Sequence, residues 1–221
     1  MLAKTTGVVF RFIKYGETSI IVNIFTSQYG LQSYIVNGAR SKSGKGKIAL
    51  YQPLTLLDLV VYHKETAQIM RIKEAKVIYQ FQQVNIDVKK TTVALFIEEI
   101  INKSIREEAH AAELCEFLIH SLISLDKVEH PENFHLIFLV QLARHLGFEP
   151  RNPHEVLGGR VMDFGDEGAL NSILNAGYHA PLSLTNNQRR NVLDALLRFY
   201  SMHIENFGVM KSLSVLREIL S

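Results

Sequence analysis

Thr6-Gly7-Val8-Val9-Phe10-Arg11-Phe12-Ile13 opens the chain's first patterned segment, and Ser19-Ile20-Ile21-Val22-Asn23-Ile24-Phe25 follows after one short turn. Both read with a period of two, the period of a strand. In the first, Val8, Phe10 and Phe12 fall on one face and Val9, Arg11 and Ile13 on the other. In the second, Ile20, Val22 and Ile24 alternate. Three more runs of this kind, Leu31–Val36, Leu54–Tyr62 and Gln68–Ile78, complete a set of five. Gly16, Gly30 and Gly38 punctuate them where tight turns need a positive φ. Five short strands broken by turns predict a small barrel or sandwich. The five-stranded OB-type barrel is one solution of that size, and an SH3-like barrel is another.

Near residue 85 the period changes. Thr91–Ser104 carries Val93, Leu95, Phe96, Ile97, Ile100 and Ile101 as a helical stripe, and Ala111–Leu125 repeats it with Leu114, Leu118, Leu122 and Leu125. Phe134–Leu146 is apolar on most sides, which predicts a central buried helix ended by Gly147. Residues 150–183 are the least regular. Thr185 and Gln188 form a capping box for the last long helix, and Ser212–Leu220 is a short final one. The expected fold class is therefore α+β: an N-terminal five-stranded OB-type barrel at 1–80 followed by an all-α helical domain at 81–221.

The composition is that of a folded chain, with 47% hydrophobic and 21% charged residues in 221. A single cysteine excludes a disulfide framework and a multi-cysteine zinc site, and no apolar stretch approaches membrane-spanning length. A cytoplasmic location is the expectation. The net charge of +2 hides a division. Residues 1–80 carry 11 basic and 4 acidic side chains, and the rest carry 13 and 18, so the halves stand at +7 and −5. A basic module that meets polyanions, joined to a module of another kind, fits that asymmetry.

Catalytic chemistry is hard to find. Cys115 shares a helix face with Leu118, Ile119 and Leu122 and reads as a core residue. Glu107/His110 and Glu132/His135 are both Glu-x-x-His, with Glu98 and Glu99 nearby, the elements of a di-iron bundle; their positions at helix ends favour solvated roles instead. The loop Gly38-Ala39-Arg40-Ser41-Lys42-Ser43-Gly44-Lys45-Gly46-Lys47 fails the phosphate-loop spacing, and Gly46 offers no hydroxyl for magnesium. Its four cations, Arg40, Lys42, Lys45 and Lys47, suit a flexible arm lying along phosphates. Lys14, Arg71 and Lys73 extend that basic surface, and Tyr15 and Tyr34 are candidate stacking platforms for single strands. No catalytic residue, metal or cofactor is expected. A di-iron-like oxidoreductase and a protein-interaction scaffold with a basic barrel are the alternatives.

Several pieces together resemble the RecO family of bacterial DNA repair and recombination mediator proteins: Lys4-Thr5-Thr6-Gly7-Val8-Val9, Tyr15-Gly16-Glu17-Thr18-Ser19-Ile20-Ile21-Val22, Gly38-Ala39-Arg40, Gln52-Pro53-Leu54-Thr55-Leu56-Leu57-Asp58-Leu59 and Lys211-Ser212-Leu213. Leu142, Leu146, Gly147 and Phe148 match the helix end that precedes the family's variable insert. The resemblance implies an OB-fold followed by a helical domain, and a non-enzymatic, nucleoid-associated protein. It implies binding of single- and double-stranded DNA, strand annealing, and action with RecR in loading RecA onto DNA coated by single-strand-binding protein. It also implies that the acidic, apolar-ended tail of that coat protein docks on the helical domain. Such a tail needs cations beside an apolar cleft, for which Arg144, His145, Arg198 and Lys211 are candidates. Many members carry a four-cysteine zinc motif after the Leu-Gly-Phe helix end. Here residues 150–168 contain no cysteine, leaving Gly158, Gly159 and Phe164 to shape the loop.

Overall fold

The structure is a computed structural model that describes residues 1–41, 46–106 and 110–220. Five strands, β1 (Leu2–Tyr15), β2 (Ser19–Thr26), β3 (Gly30–Val36), β4 (Leu56–Tyr62) and β5 (Ile69–Val77), close a barrel in the order β1-β2-β3-β5-β4. All neighbours are antiparallel except β3 and β5. Closure leaves no sheet edge open. Val9, Ile20, Val22, Ile24, Tyr34, Leu57, Leu59, Val61 and Met70 fill the interior.

The alternation expected along β1 fails at one residue. Val9 pairs with Ile24 but Arg11 pairs with Asn23, so Phe10 is the extra residue of a bulge. Val9 and Phe12 therefore pack with the interior, while Val8 and Phe10 are buried outside that cluster, Phe10 stacked on Phe25 at 5.6 Å. A strand of 14 residues that pairs with β4 along its first half and β2 along its second must bend, and a bulge supplies the bend. Just before it, a Cβ on Gly7 would lie 2.7 Å from Ile24 Cγ2 and 2.9 Å from the Phe25 carbonyl, so glycine alone fits there.

Seven α-helices follow among the described residues: α1 (Val88–Ser104), α2 (Ala111–Lys127), α3 (Phe134–His145), α4 (Pro153–Leu157), α5 (Phe164–Leu174), α6 (Asn186–His203) and α7 (Leu213–Ile219). The chain forms two compact units. One is 1–81 with 105–123; the other is 82–104 with 124–221. The first part of α2 thus groups with the barrel, whereas a division at residue 80 assigns all of α2 to the helical half. Its Cys115 thiol donates toward the Phe25 and Thr6 carbonyls at 3.7 and 3.9 Å, and burial pushes that thiol up to about 12. An inert core cysteine follows.

In the helical unit, α3 is buried at nine of its 12 positions, the central helix its composition predicts. The Tyr200 hydroxyl of α6 donates to the Leu139 carbonyl at 2.6 Å. Thr185 and Gln188 form the expected capping box. Asp126 is nearly inaccessible to solvent, and its carboxylate accepts from the backbone N–H groups of Gln82, Gln83 and Val84 at 2.7–3.1 Å. Its carbonyl accepts from the buried Lys90 ammonium at 2.7 Å. Between α3 and α5, side-chain caps hold the turns: Asn152 accepts from Glu155 N and Asp163 from Gly165 N. Gly158 and Gly159 take left-handed φ values there, but Phe164 is 91% exposed and anchors nothing.

Candidate nucleic-acid interface

The basic residues of the barrel part company in three dimensions. Lys47, Arg71 and Lys73 converge on a groove of about 340 Å³ beside β3 and β5, floored by apolar groups of Ile35, Val36 and Leu50. Two features of the fold place them. The alternation of β5 turns Met70 inward and Arg71 outward. Lys73 is the unpaired residue of a second bulge, because Glu74 pairs with Val60 while Ile72 pairs with Val61. Lys47 is exposed just before a 3₁₀ turn, Ile48–Tyr51, whose Tyr51 packs into the barrel. Among the described residues their one ion pair, Lys73 with its neighbour Glu74 at 3.9 Å, is solvent-exposed and of the kind that contributes little.

The other candidates lie elsewhere. Lys42 and Lys45 fall outside the described residues. Arg40 is a strut: Nη2 donates to the Gly16 carbonyl at 2.5 Å, Nε to the Ser19 carbonyl at 3.2 Å, and its own N–H to Thr18 O. It thereby ties the segment after β3 to the β1–β2 turn, where Gly16 has φ +55°. Lys14 and Tyr15 are exposed at that same turn. Tyr34 has no exposed surface. It belongs to the barrel core, burial drives its phenol upward, and no base can reach its ring. Alternation along β3 could have signalled this, since Tyr34 shares the inward parity of Val22, its partner on β2.

In the helical unit the four sequence candidates are scattered. Arg144 pairs with Glu149 at 2.6 Å beside His145 at the end of α3. Arg198 lines a small cleft with Arg160 and three aspartates. The Lys211 N–H donates to Glu99 at 2.8 Å. None lines the groove of about 760 Å³ formed by Lys127, His130, Phe134, Tyr178, Leu182 and Arg189. There Phe134 and Tyr178 stack at 4.1 Å, and Arg189 donates to Asn133, Asn186 and the Leu220 carbonyl. Its residues come from three separate segments, which is why spacing in the sequence did not reveal it.

Among the described residues no group of three His, Cys, Asp or Glu side chains is placed to hold a metal, and Glu107 lies outside them. Glu132 pairs with Lys89 at 2.6 Å. Glu99 is partly buried, yet hydrogen bonds from Lys211 N, Ser212 N and Ser212 Oγ hold it below the usual carboxylate range. His135 is fully buried, edge-on to Phe96; burial, with Arg189 nearby, lowers it to about 3.

A closed five-stranded barrel in the order β1-β2-β3-β5-β4, with its one parallel pair between β3 and β5, is an OB-fold. The comparisons make the assignment specific. The description "Recombination protein O N terminal" matches residues 1–81 and "Recombination protein O C terminal" matches 86–163. The chain is 35% identical to a DNA repair protein RecO from Christiangramia forsetii over 99% of both chains. It is 35% identical to that of Flavobacterium psychrophilum over the full length of both, and 30% to that of Phocaeicola vulgatus. The chain belongs to the RecO family.

Proposed function

We propose that this chain is a DNA repair protein: a non-catalytic, cytoplasmic mediator that binds DNA and anneals complementary strands. The observation that carries this reading is the convergence of Lys47, Arg71 and Lys73 on one groove of an OB barrel. Cations above an apolar floor fit a polyphosphate backbone and carry no base information, so binding would be independent of sequence. Arg40, Lys42 and Lys45, with Lys14 at the β1–β2 turn, would extend the path. The deciding measurement is annealing of complementary oligonucleotides. The wild-type chain should accelerate it, and a chain with Lys47, Arg71 and Lys73 changed to alanine should not. Equal acceleration by both would remove the groove from the DNA path.

Action with RecR to load RecA onto DNA coated by single-strand-binding protein is the wider role we infer from family membership. For the coat protein's acidic, apolar-ended tail we favour the groove of Lys127, His130, Phe134 and Tyr178 over Arg144, His145, Arg198 or Lys211. It combines cationic groups with an aromatic and aliphatic wall, the chemistry such a tail requires. Lys127→Glu should weaken binding of a tail peptide, and Arg144→Glu should leave it unchanged. The reverse pattern would restore the end of α3 as the site.

A further inference from the structure

One row of residues runs across the outside of the barrel. Leu2 on β1 lies opposite Tyr62 on β4, and Tyr62 lies opposite Arg71 on β5. Arg71 lies opposite Ile35 on β3, Ile35 opposite Ile21 on β2, and Ile21 opposite Ile13 on β1. Directly opposed residues have their Cβ atoms about 5 Å apart. The row faces outward, because Val61 and Met70, the chain neighbours of Tyr62 and Arg71, fill the interior. Two of its members, Ile35 and Arg71, line the cationic groove. Tyr62 is the next residue beyond Arg71, half-exposed at 52%.

We propose that Tyr62 is a base-stacking platform that makes the barrel favour single strands over duplex, an inference that rests on the groove being the DNA path. A half-exposed ring on a residue paired with an arginine of the groove supplies the two things a single strand can use: a π-face for a base and a cation for the adjoining phosphate. A duplex keeps its base faces stacked on one another and can use only the cation. Tyr15, the other exposed tyrosine on the described barrel strands, lies opposite Ser19 rather than a cation, so Arg71 distinguishes the Tyr62 site. The signal was present in the sequence only as a terminal residue of a strand; the cross-strand register brings it to the groove.

The test compares the wild-type chain with Tyr62→Ala and Tyr62→Phe for binding to an oligothymidine strand and to a mixed-sequence duplex of equal length. Tyr62→Ala should weaken single-strand binding about tenfold, leave duplex binding within about twofold, and Tyr62→Phe should match the wild type. Unchanged single-strand binding by Tyr62→Ala overturns the platform while leaving the groove reading intact. Equal loss on strand and duplex overturns it as well, because the substitution then acts on the barrel rather than on a base. A wild-type chain that binds neither substrate overturns both readings together.

Discussion

The barrel and the helical unit use their cations in opposite ways. In the helical unit they support the fold: Lys89 pairs with Glu132, Arg144 with Glu149 and Arg217 with Asp194, while Lys90, Lys103 and Arg189 donate to backbone carbonyls or amides. In the barrel groove the side chains of Lys47 and Arg71 make no hydrogen bond or ion pair among the described residues, and that of Lys73 meets only its exposed neighbour Glu74. The net charges of the two sequence halves follow the same division. A cation already paired within the protein must lose that partner before it can hold a ligand; one left in water loses only solvent and gains by releasing counterions from a polyanion. Net charge alone would not have distinguished Arg40, which supports a turn, from Arg71, which faces the groove.

Four measurements would break or sharpen this contrast. The largest effect is expected at Asp126. Its carboxylate satisfies three backbone N–H groups at a site almost closed to water. Asp126→Ala leaves those donors unsatisfied and should cost about 3 kcal/mol in denaturant unfolding. A cost well under 1 kcal/mol would mean that water replaces the carboxylate.

His135 comes next. It is neutral in the folded protein at about 3, against an ordinary value near 6.5. Below the ordinary value the unfolded chain binds a proton that the folded chain refuses, so stability falls as pH falls from about 6.5 toward 3. Between pH 7 and 5 the loss should be about 2 kcal/mol, and His135→Leu should remove that part of the pH dependence. An unchanged pH profile in His135→Leu would place the acid sensitivity elsewhere.

The groove should respond in binding rather than in stability. Replacing Lys47, Arg71 and Lys73 with alanine should lower affinity for all single strands alike and reduce the log–log salt slope by about 2, at about 0.7 for each lost contact. Unfolding should move by no more than about 0.5 kcal/mol. A weakened chain with an unchanged salt slope would show that these residues act through the fold, as the helical unit's cations do. The smallest effect is expected at Tyr34. Its ring is wholly enclosed, so Tyr34→Phe should leave DNA affinity unaltered, and a measurable loss would show that the barrel opens to admit a base.

Strand and helix periods are local properties, and they were legible: five strands, the change near residue 85, the central α3 and the capping box at Thr185 all stand where the sequence put them. The barrel order, with β3 beside β5, was not implied by strand count, which also permitted an SH3-like barrel. Of the cationic candidates, Arg71 was legible through alternation on β5, whereas Lys73 is placed by a bulge that alternation does not show. Lys47 was legible only as part of a charged loop, and the role of Arg40 depended on carbonyls 21 and 24 residues away.

What the sequence determined by itself was therefore the kind of each element and the charge each half carries, because propensity, turn chemistry and ionisation reside in the residues and their near neighbours. Tertiary structure alone decided which side chains meet. The bulge at Phe10 switched the inward parity part-way along β1, from Val9 to Phe12, closure of the barrel enclosed Tyr34, and the register of β4 against β5 set Tyr62 opposite Arg71. Each of these turns on a pairing between distant segments, and a shift of one residue in such a pairing sends a side chain to the opposite face.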